Sequence, residues 1–192
     1  MRSVLELPAG FDLYQRLVGA HGSKRRFVEE FAQPRSGESV LDLGSGTGSL
    51  FDLMPEGTEY VGVEIDRKYV EAARASHGNR AQFVHADATT YRAGREFDLA
   101  LAYGVLHHLT DDEARGLLRA ARAGRRFVAA EPCATETAGF LESFLMRHDR
   151  GRFIRSQEAY ARLARDVFDR VEARLVEGTY RIPYTLVILD CS

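Results

Sequence analysis

The sequence predicts an α/β fold: a mostly parallel sheet with helices on both faces, closed by an antiparallel hairpin. Three observations carry this. Residues 39–43 (Ser-Val-Leu-Asp-Leu) form an apolar run that stops at Gly44, Gly46 and Gly48, as a buried parallel strand does where it meets a tight turn. Residues 60–64 form a second apolar run, and it ends in an acid, Glu64. Residues 171–176 alternate and 183–189 are strongly apolar, and the residues between them read as a hairpin loop. A glycine turn lets a ligand approach the backbone, and an acid after the next strand can accept both hydroxyls of a ribose. Together they describe a nucleoside site.

Residues 9–20, around Phe11, Tyr14, Leu17 and Val18, have helical spacing. Ser23 reads as the N-cap of a second helix with Phe27, Val28 and Phe31 on one face, ended by Pro34 and Gly37. These helices either cover the sheet or place a lid over the ligand. Lys24, Arg25 and Arg26 read as a solvated face from which one could reach a ligand carboxylate. A short helix is expected near 50–54, stopping at Pro55. Asp66 reads as the cap of a helix carrying Tyr69, Val70 and Ala73 and ending near Gly78. Glu64 and Asp66 therefore compete for the ribose, and Glu64 is favoured because it sits directly at the strand end. Residues 81–85 read as strand three and are followed by Asp87. Residues 97–103 read as strand four and lead into a loop with His107 and His108. Thr110 and Glu113 form a capping-box pattern for a helix with Leu117 and Leu118, ended by Gly124. Residues 127–132 read as strand five. A polar and aromatic stretch follows, then a helix capped by Ser156 with Tyr160, Leu163, Ala164 and Val167 on its face. The expected organisation is one domain over 1–192, with a helical lid at 1–33 and a core at 37–192 that includes a helical substrate cover at 133–168.

Composition sets the class. The chain has 192 residues, 45% of them hydrophobic and 28% charged, and a net charge of -2. That balance is ordinary for a globular protein and gives no general pull toward nucleic acid. Nearly all basic residues are arginine; Lys24 and Lys68 are the only lysines. Cys133 and Cys191 show no metal spacing and read as free thiols, and no metal is expected. No apolar run is long enough for a membrane span, and the start lacks the basic-then-apolar layout of a secretory signal. A cytoplasmic enzyme is the expectation.

Gly44-x-Gly46-x-Gly48 preceded by Leu41-Asp42-Leu43 resembles motif I of the class I S-adenosylmethionine-dependent methyltransferases, and the strand-four segment 97–109 is similar to theirs. The resemblance runs from about Gly37 to Cys191 and looks like small stand-alone bacterial members. It implies a Rossmann-like sheet, S-adenosyl-L-methionine as cofactor and S-adenosyl-L-homocysteine as product. It implies a cofactor site of Asp42, Gly44, Ser45, Gly46, Gly48, Glu64, Ile65, Asp87, Ala88 and Tyr103, with Asp87 receiving the adenine amino group. The family's Pro-Gly-Gly turn before strand five is replaced by Ala123-Gly124-Arg125, on the face away from the site. Methyltransferases of exocyclic amines carry Asn or Asp, Pro, Pro and an aromatic after strand four, where this chain has Ala102-Tyr103-Gly104-Val105. A small-molecule or glycan-like acceptor, methylated at a hydroxyl or amine, is therefore expected, with no nucleic acid and no membrane as partner.

In-line transfer needs positioning, and a hydroxyl acceptor also needs a base. His107 and His108 leave the carboxyl end of strand four, where such sheets bind substrates, so either is a candidate base; the alternative is that the pair packs the cofactor loop. The acceptor is expected between Tyr14 of the lid, Phe144, Arg147 and His148 of the cover, and Tyr180, Arg181 and Tyr184 of the hairpin loop. Two other readings stay open. One is a non-catalytic module that binds the cofactor. The other is a nicotinamide-dependent oxidoreductase, whose fingerprint wants a third glycine where Ser49 stands.

Overall fold

The computed structural model describes residues 20–135, 153–178 and 185–192. Seven strands form one sheet: β1 (Ser39–Leu43), β2 (Glu59–Glu64), β3 (Gln82–His85), β4 (Phe97–Tyr103), β5 (Gly124–Pro132), β6 (Val171–Val176) and β7 (Leu186–Cys191). Their order is β3-β2-β1-β4-β5-β7-β6. β1 pairs in parallel with β2 on one side (Leu41 opposite Val61) and with β4 on the other (Leu41 opposite Ala100). β7 runs antiparallel to both β5 and β6, so β6 points the same way as the parallel strands, as expected. The order reverses between β1 and β4, and the crevice beyond the carboxyl ends at such a reversal is where these sheets bind ligands.

Side-chain alternation sorts the core into two layers. Leu41 and Leu43 of β1 join Val61, Val63, Leu117, Leu118, Phe127 and Tyr160 on one face. Val40 joins Phe27, Val28, Tyr60, Val70, Phe83 and Leu101 on the other. Asp42 therefore points toward the second face, among apolar neighbours.

Among the described residues four α-helices cover the layers: α1 (Ala20–Arg26), α2 (Arg67–His77), α3 (Asp111–Ala121) and α4 (Gln157–Arg165). α1 continues through a wider turn, Phe27–Ala32, that buries Phe27, Val28 and Ala32. It stops at Gln33, which takes the left-handed conformation (φ 49°) and donates its N–H to the Val28 carbonyl at 2.8 Å. Ser23 is not an N-cap. It lies inside α1, buried, and its Oγ accepts the Tyr103 hydroxyl at 2.6 Å. Its cap-like neighbourhood reflects a tertiary contact that local pattern does not reveal.

The other caps follow the sequence. Asp66 accepts the Lys68 N–H at 2.8 Å at the start of α2. Thr110 and Glu113 make the reciprocal capping box of α3, and Ser156 caps α4. Asp66→Ala should lower stability by about 1 kcal/mol, a shift of about 2–4 °C in melting temperature, with cofactor affinity unchanged. Calorimetry of the variant with and without cofactor checks both halves.

β5 begins three residues before the expected 127. Its first residues are polar, but Arg126 is satisfied there: it makes two hydrogen bonds to Asp190 of β7 (2.9 and 2.8 Å) and donates to the Phe31 and Ala32 carbonyls at the end of the α1 extension (2.7 and 2.9 Å). The helix expected near 50–54 is a single turn, Phe51–Leu53. Among the described residues no helix is long and apolar enough to cross a membrane, and no group of three or more His, Cys, Asp or Glu is placed to hold a metal ion.

Candidate cofactor and acceptor site

The glycine turn is pinned to β2 at its start. The N–H groups of Gly44 and Ser45 both donate to the Val63 carbonyl, at 2.8 and 3.0 Å. Gly44 has φ +85°, and a Cβ there would lie 2.5 Å from Val105 of the β4 turn, so packing excludes any side chain. Gly46 differs: at φ +55° a Cβ would meet nothing within 4 Å. The turn therefore has open space at Gly46, whereas Gly44 has no room for a side chain.

Glu64 sits at the end of β2 and faces this opening. It accepts the Gly46 N–H at 2.9 Å and the Asp66 N–H at 2.8 Å. A carboxylate has about four lone-pair positions, so two remain for incoming hydroxyls. Next to it Ile65 is 65% exposed, an apolar side chain at a strand end where a flat ring would cover it. The loop after β3 runs alongside, with the Ala86 N–H on the Glu64 carbonyl at 3.0 Å. Asp87 in that loop is exposed, and its Oδ1 accepts from the Thr89 N–H and hydroxyl at 2.8 and 2.7 Å. Ala88 beside it is half-buried.

Below the turn lies a buried polar cluster. Asp42 is almost fully buried; its Oδ2 accepts a hydrogen bond from the Tyr60 hydroxyl, and its Oδ1 has no partner. Burial pushes the Asp42 carboxyl up to about 7, against the opposing pull of the Tyr60 hydrogen bond and the Lys24 charge. The same burial, with Asp42 beside it, raises the Tyr60 phenol well above its ordinary range. Lys24 of α1 is buried too, and its Nζ donates to Ser49 Oγ at 2.7 Å. Of the three basic residues expected on a solvated face, Arg25 is exposed and Arg26 half-buried, whereas Lys24 turns inward. The Ser45 hydroxyl is buried without a partner and lies against Gly62, where a Cβ would sit 2.6 Å from it, so it faces the sheet.

The third wall is the turn leaving β4. Tyr103 reaches α1 through Ser23, and its ring meets Phe27 edge-on at 5.3 Å. Glu131 of β5, 0% exposed, holds the turn beyond it. Its Oε1 accepts the N–H groups of Val105 and Leu106 at 2.9 and 2.8 Å. Its Oε2 accepts the His107 N–H at 3.2 Å and lies 2.7 Å from His107 Nδ1. His107 is thus buried and oriented, while His108 is exposed with its ring 4.0 Å away. Phe153 and Arg155 close on the same turn. The Phe153 N–H donates to the His107 carbonyl at 2.9 Å, and Arg155 donates to the Leu106 and Leu109 carbonyls at 2.9 and 2.7 Å.

The structure thus brings Asp42, Gly44, Ser45, Gly46, Gly48, Glu64, Ile65, Asp87, Ala88, Tyr103, His107 and His108 to the carboxyl ends of β1–β4. The acceptor residues Tyr14, Phe144, Arg147, His148, Tyr180, Arg181 and Tyr184 lie outside the described residues. Sequence reasoning missed Glu131 and the inward turn of Lys24. The signal for Glu131 was a single acid inside the apolar run of strand five. For Lys24 it was one of only two lysines in a chain that otherwise uses arginine.

Residues 40–125 match the methyltransferase domain family. The ribosomal RNA small subunit methyltransferase A of Anaeromyxobacter dehalogenans is 31% identical over 144 residues, which cover 62% of this chain and 51% of that protein. The ubiquinone/menaquinone biosynthesis C-methyltransferase UbiE of Pseudomonas paraeruginosa is 32% identical over 138 residues, 64% of this chain and 54% of that one. The chain spans about half the length of these curated relatives. Among solved structures, a putative methyltransferase from Haloferax volcanii, in complex with the Trm112 methyltransferase activator, superposes with a TM-score of 0.77 at 17% identity, covering 100% of this chain and 98% of that one. The domain match, the strand order ending in an antiparallel pair, and a glycine turn faced by an acid agree: residues 40–125 carry a methyltransferase domain, set in the Rossmann-like sheet of the methyltransferase fold.

Proposed function

We propose that this protein transfers a methyl group from S-adenosyl-L-methionine to a small polar acceptor, through a hydroxyl or an amine. The observation that carries the reading is the open glycine turn. Gly46 faces empty space, Glu64 spans from it to Asp66 with acceptor positions to spare, and exposed Ile65 and Asp87 continue the line. That line suits a nucleoside lying across the carboxyl ends of β1–β3: ribose on Glu64, base against Ile65 with its amino group toward Asp87. Asp42, Tyr103 and the backbone at Gly44 and Gly46 form the end that suits an amino-acid tail. When bound, the cofactor supplies an electrophilic methyl on a sulfonium, so the protein's own task is to orient the acceptor and exclude water.

His107 supplies a base where the acceptor needs one. With the Glu131 carboxylate on Nδ1, the ring keeps its proton on that nitrogen and leaves Nε2 free to accept one, the tautomer a hydroxyl acceptor requires. His108 is the exposed member of the pair. Phe153, 37% exposed beside this turn, adds an apolar wall. Tyr14, Phe144, Arg147, His148, Tyr180, Arg181 and Tyr184 are proposed for the rest of the pocket, where arginines and tyrosines suit a polar acceptor. The same reading puts the enzyme in the bacterial cytoplasm, where the buried thiols of Cys133 and Cys191 stay reduced.

The test has two arms. Acceptors of several classes, RNA included, are screened for formation of S-adenosylhomocysteine; turnover of RNA alone would replace the small-molecule reading. Calorimetry with Glu64→Ala should show cofactor affinity reduced by about 1.5–3 kcal/mol, the scale of hydrogen bonds to a charged group, with the fold intact. Wild-type affinity in that variant would remove Glu64 from the ribose site.

A further inference from the structure

We infer that Arg155 is the positioning residue of the proposed base: together with Glu131 it fixes the turn that carries His107, and with it the ring nitrogen on which the imidazole proton sits. The inference rests on the role proposed for His107. Its observations concern the carbonyls of the turn, which a carboxylate cannot hold.

The single turn Leu106–His108 presents N–H groups at one end and carbonyls at the other. Glu131 takes the N–H groups of Val105, Leu106 and His107. A carboxylate only accepts, so with both oxygens already occupied by donors the 2.7 Å contact to the ring requires Nδ1 to donate. The carbonyls are taken from the other side. The Phe153 N–H donates to His107 at 2.9 Å, Arg155 Nη1 to Leu106 at 2.9 Å and Arg155 Nη2 to Leu109 at 2.7 Å. The two carbonyls that Arg155 holds flank the histidine pair. The same guanidinium donates through Nε and Nη2 to Asp111 Oδ1 at 3.0 and 2.8 Å, and through Nη1 to the Phe153 carbonyl at 3.0 Å. All five of its N–H groups therefore have acceptors, and the side chain is only 9% exposed. A planar fork spent on three backbone carbonyls fixes a backbone in a way that an ion pair alone does not. Both holders are mounted on one strand. Glu131 belongs to β5, and Arg155 forms a parallel bridge with Cys133 just past the end of β5, its carbonyl accepting the Ala134 N–H at 3.0 Å. With the carbonyl side released, the turn can rotate about its N–H contacts and the ring can leave the carboxylate.

The readout is the His107 tautomer in the 15N NMR spectrum of protein labelled at its histidines. The chain has six, and the His107 signals are those lost in His107→Gln. At a pH where the ring is neutral, its two nitrogens should be well separated in wild type, Nδ1 protonated and Nε2 bare. In Arg155→Lys, which keeps the charge and loses the fork, the two signals should draw together as the proton divides between them. A wild-type pattern in that variant would overturn the inference. Asp111→Asn weakens the ion pair, leaves the three carbonyl bonds and should leave the pattern unchanged. A change as large as that in Arg155→Lys would show that the ion pair, and not the grip on the carbonyls, orients the ring, and the inference would fall. A further measurement uses wild-type protein and does not depend on either variant folding. The Arg155 guanidinium should give separate Nη–H signals, as a group held on both sides does; a single averaged signal would mean a rotating group that holds nothing. The role of His107 is judged apart from this. If His107→Gln keeps the turnover of a hydroxyl acceptor found by the screen, the proposed base fails, while the tautomer spectra still decide what Arg155 does.

Discussion

Glu131→Ala should be the most damaging single substitution in the described part of the protein. The side chain is completely buried, and its two oxygens accept four hydrogen bonds, from the backbone of Val105, Leu106 and His107 and from the His107 ring. Alanine leaves three backbone donors and an imidazole without their acceptor in a water-poor interior. Removing one member of such a buried set costs about 3–5 kcal/mol, equivalent to a fall of about 10 °C or more in melting temperature for a chain of this size. The loss should also reach function, because the turn that Glu131 holds carries Val105, which packs on Gly44, and His107, the proposed base. Glu131→Gln separates the two effects. Its carbonyl can still accept from Val105 and Leu106, but its amide nitrogen would face the His107 N–H groups. That variant should keep most of the stability, lose most of the turnover of a hydroxyl acceptor, and show an altered pH–rate profile. Calorimetry and a pH–rate profile check the pair; a glutamine variant with wild-type stability and turnover would reduce Glu131 to filler.

The parallel half of the fold was legible because its signals are local. The run 39–43 ends at glycines whose positive φ angles only that residue adopts easily, and Asp66, Thr110 and Ser156 cap helices that begin where the pattern says. The competition between Glu64 and Asp66 could be framed from sequence for the same reason, since a strand end and a cap are both local features. What was not legible depends on pairs far apart in the chain. Tyr60 reaches Asp42 across 18 residues, and Glu131 reaches His107 across 24. No spacing rule announces either. Ser23 shows the converse failure. A serine before an apolar helical face looks like a cap, yet it lies in mid-helix because Tyr103 supplies its hydrogen bond from 80 residues away. The early start of β5 has the same origin: Arg126 reads as turn until Asp190, from the last strand, neutralises it.

Asp42→Asn should make the protein more stable at pH 8 and poorer at its task. Burial pushes the Asp42 carboxyl up to about 7, whereas in the unfolded chain it titrates near its ordinary 3.8. Between those values the folded protein holds a proton that the unfolded chain has released. Stability contributed by this group is therefore full below about pH 4, falls as pH rises toward 7, and levels off above it. At pH 8 the wild type carries the whole cost of an ionised, buried carboxylate with one unpartnered oxygen, on the order of 4 kcal/mol for a shift of this size. Asparagine does not ionise and can still accept the Tyr60 hydroxyl. Its gain over wild type should be small near pH 4 and grow to about 2–4 kcal/mol at pH 8. Chemical denaturation across that range measures the difference directly, and an offset that does not change with pH would mean that Asp42 is not the titrating group. Affinity for S-adenosylhomocysteine should move the other way, because the amide cannot balance the α-ammonium of the ligand. A buried acid kept at a cost to stability, beneath the one glycine in the turn that faces open space, is what a cofactor site requires and a purely structural turn does not.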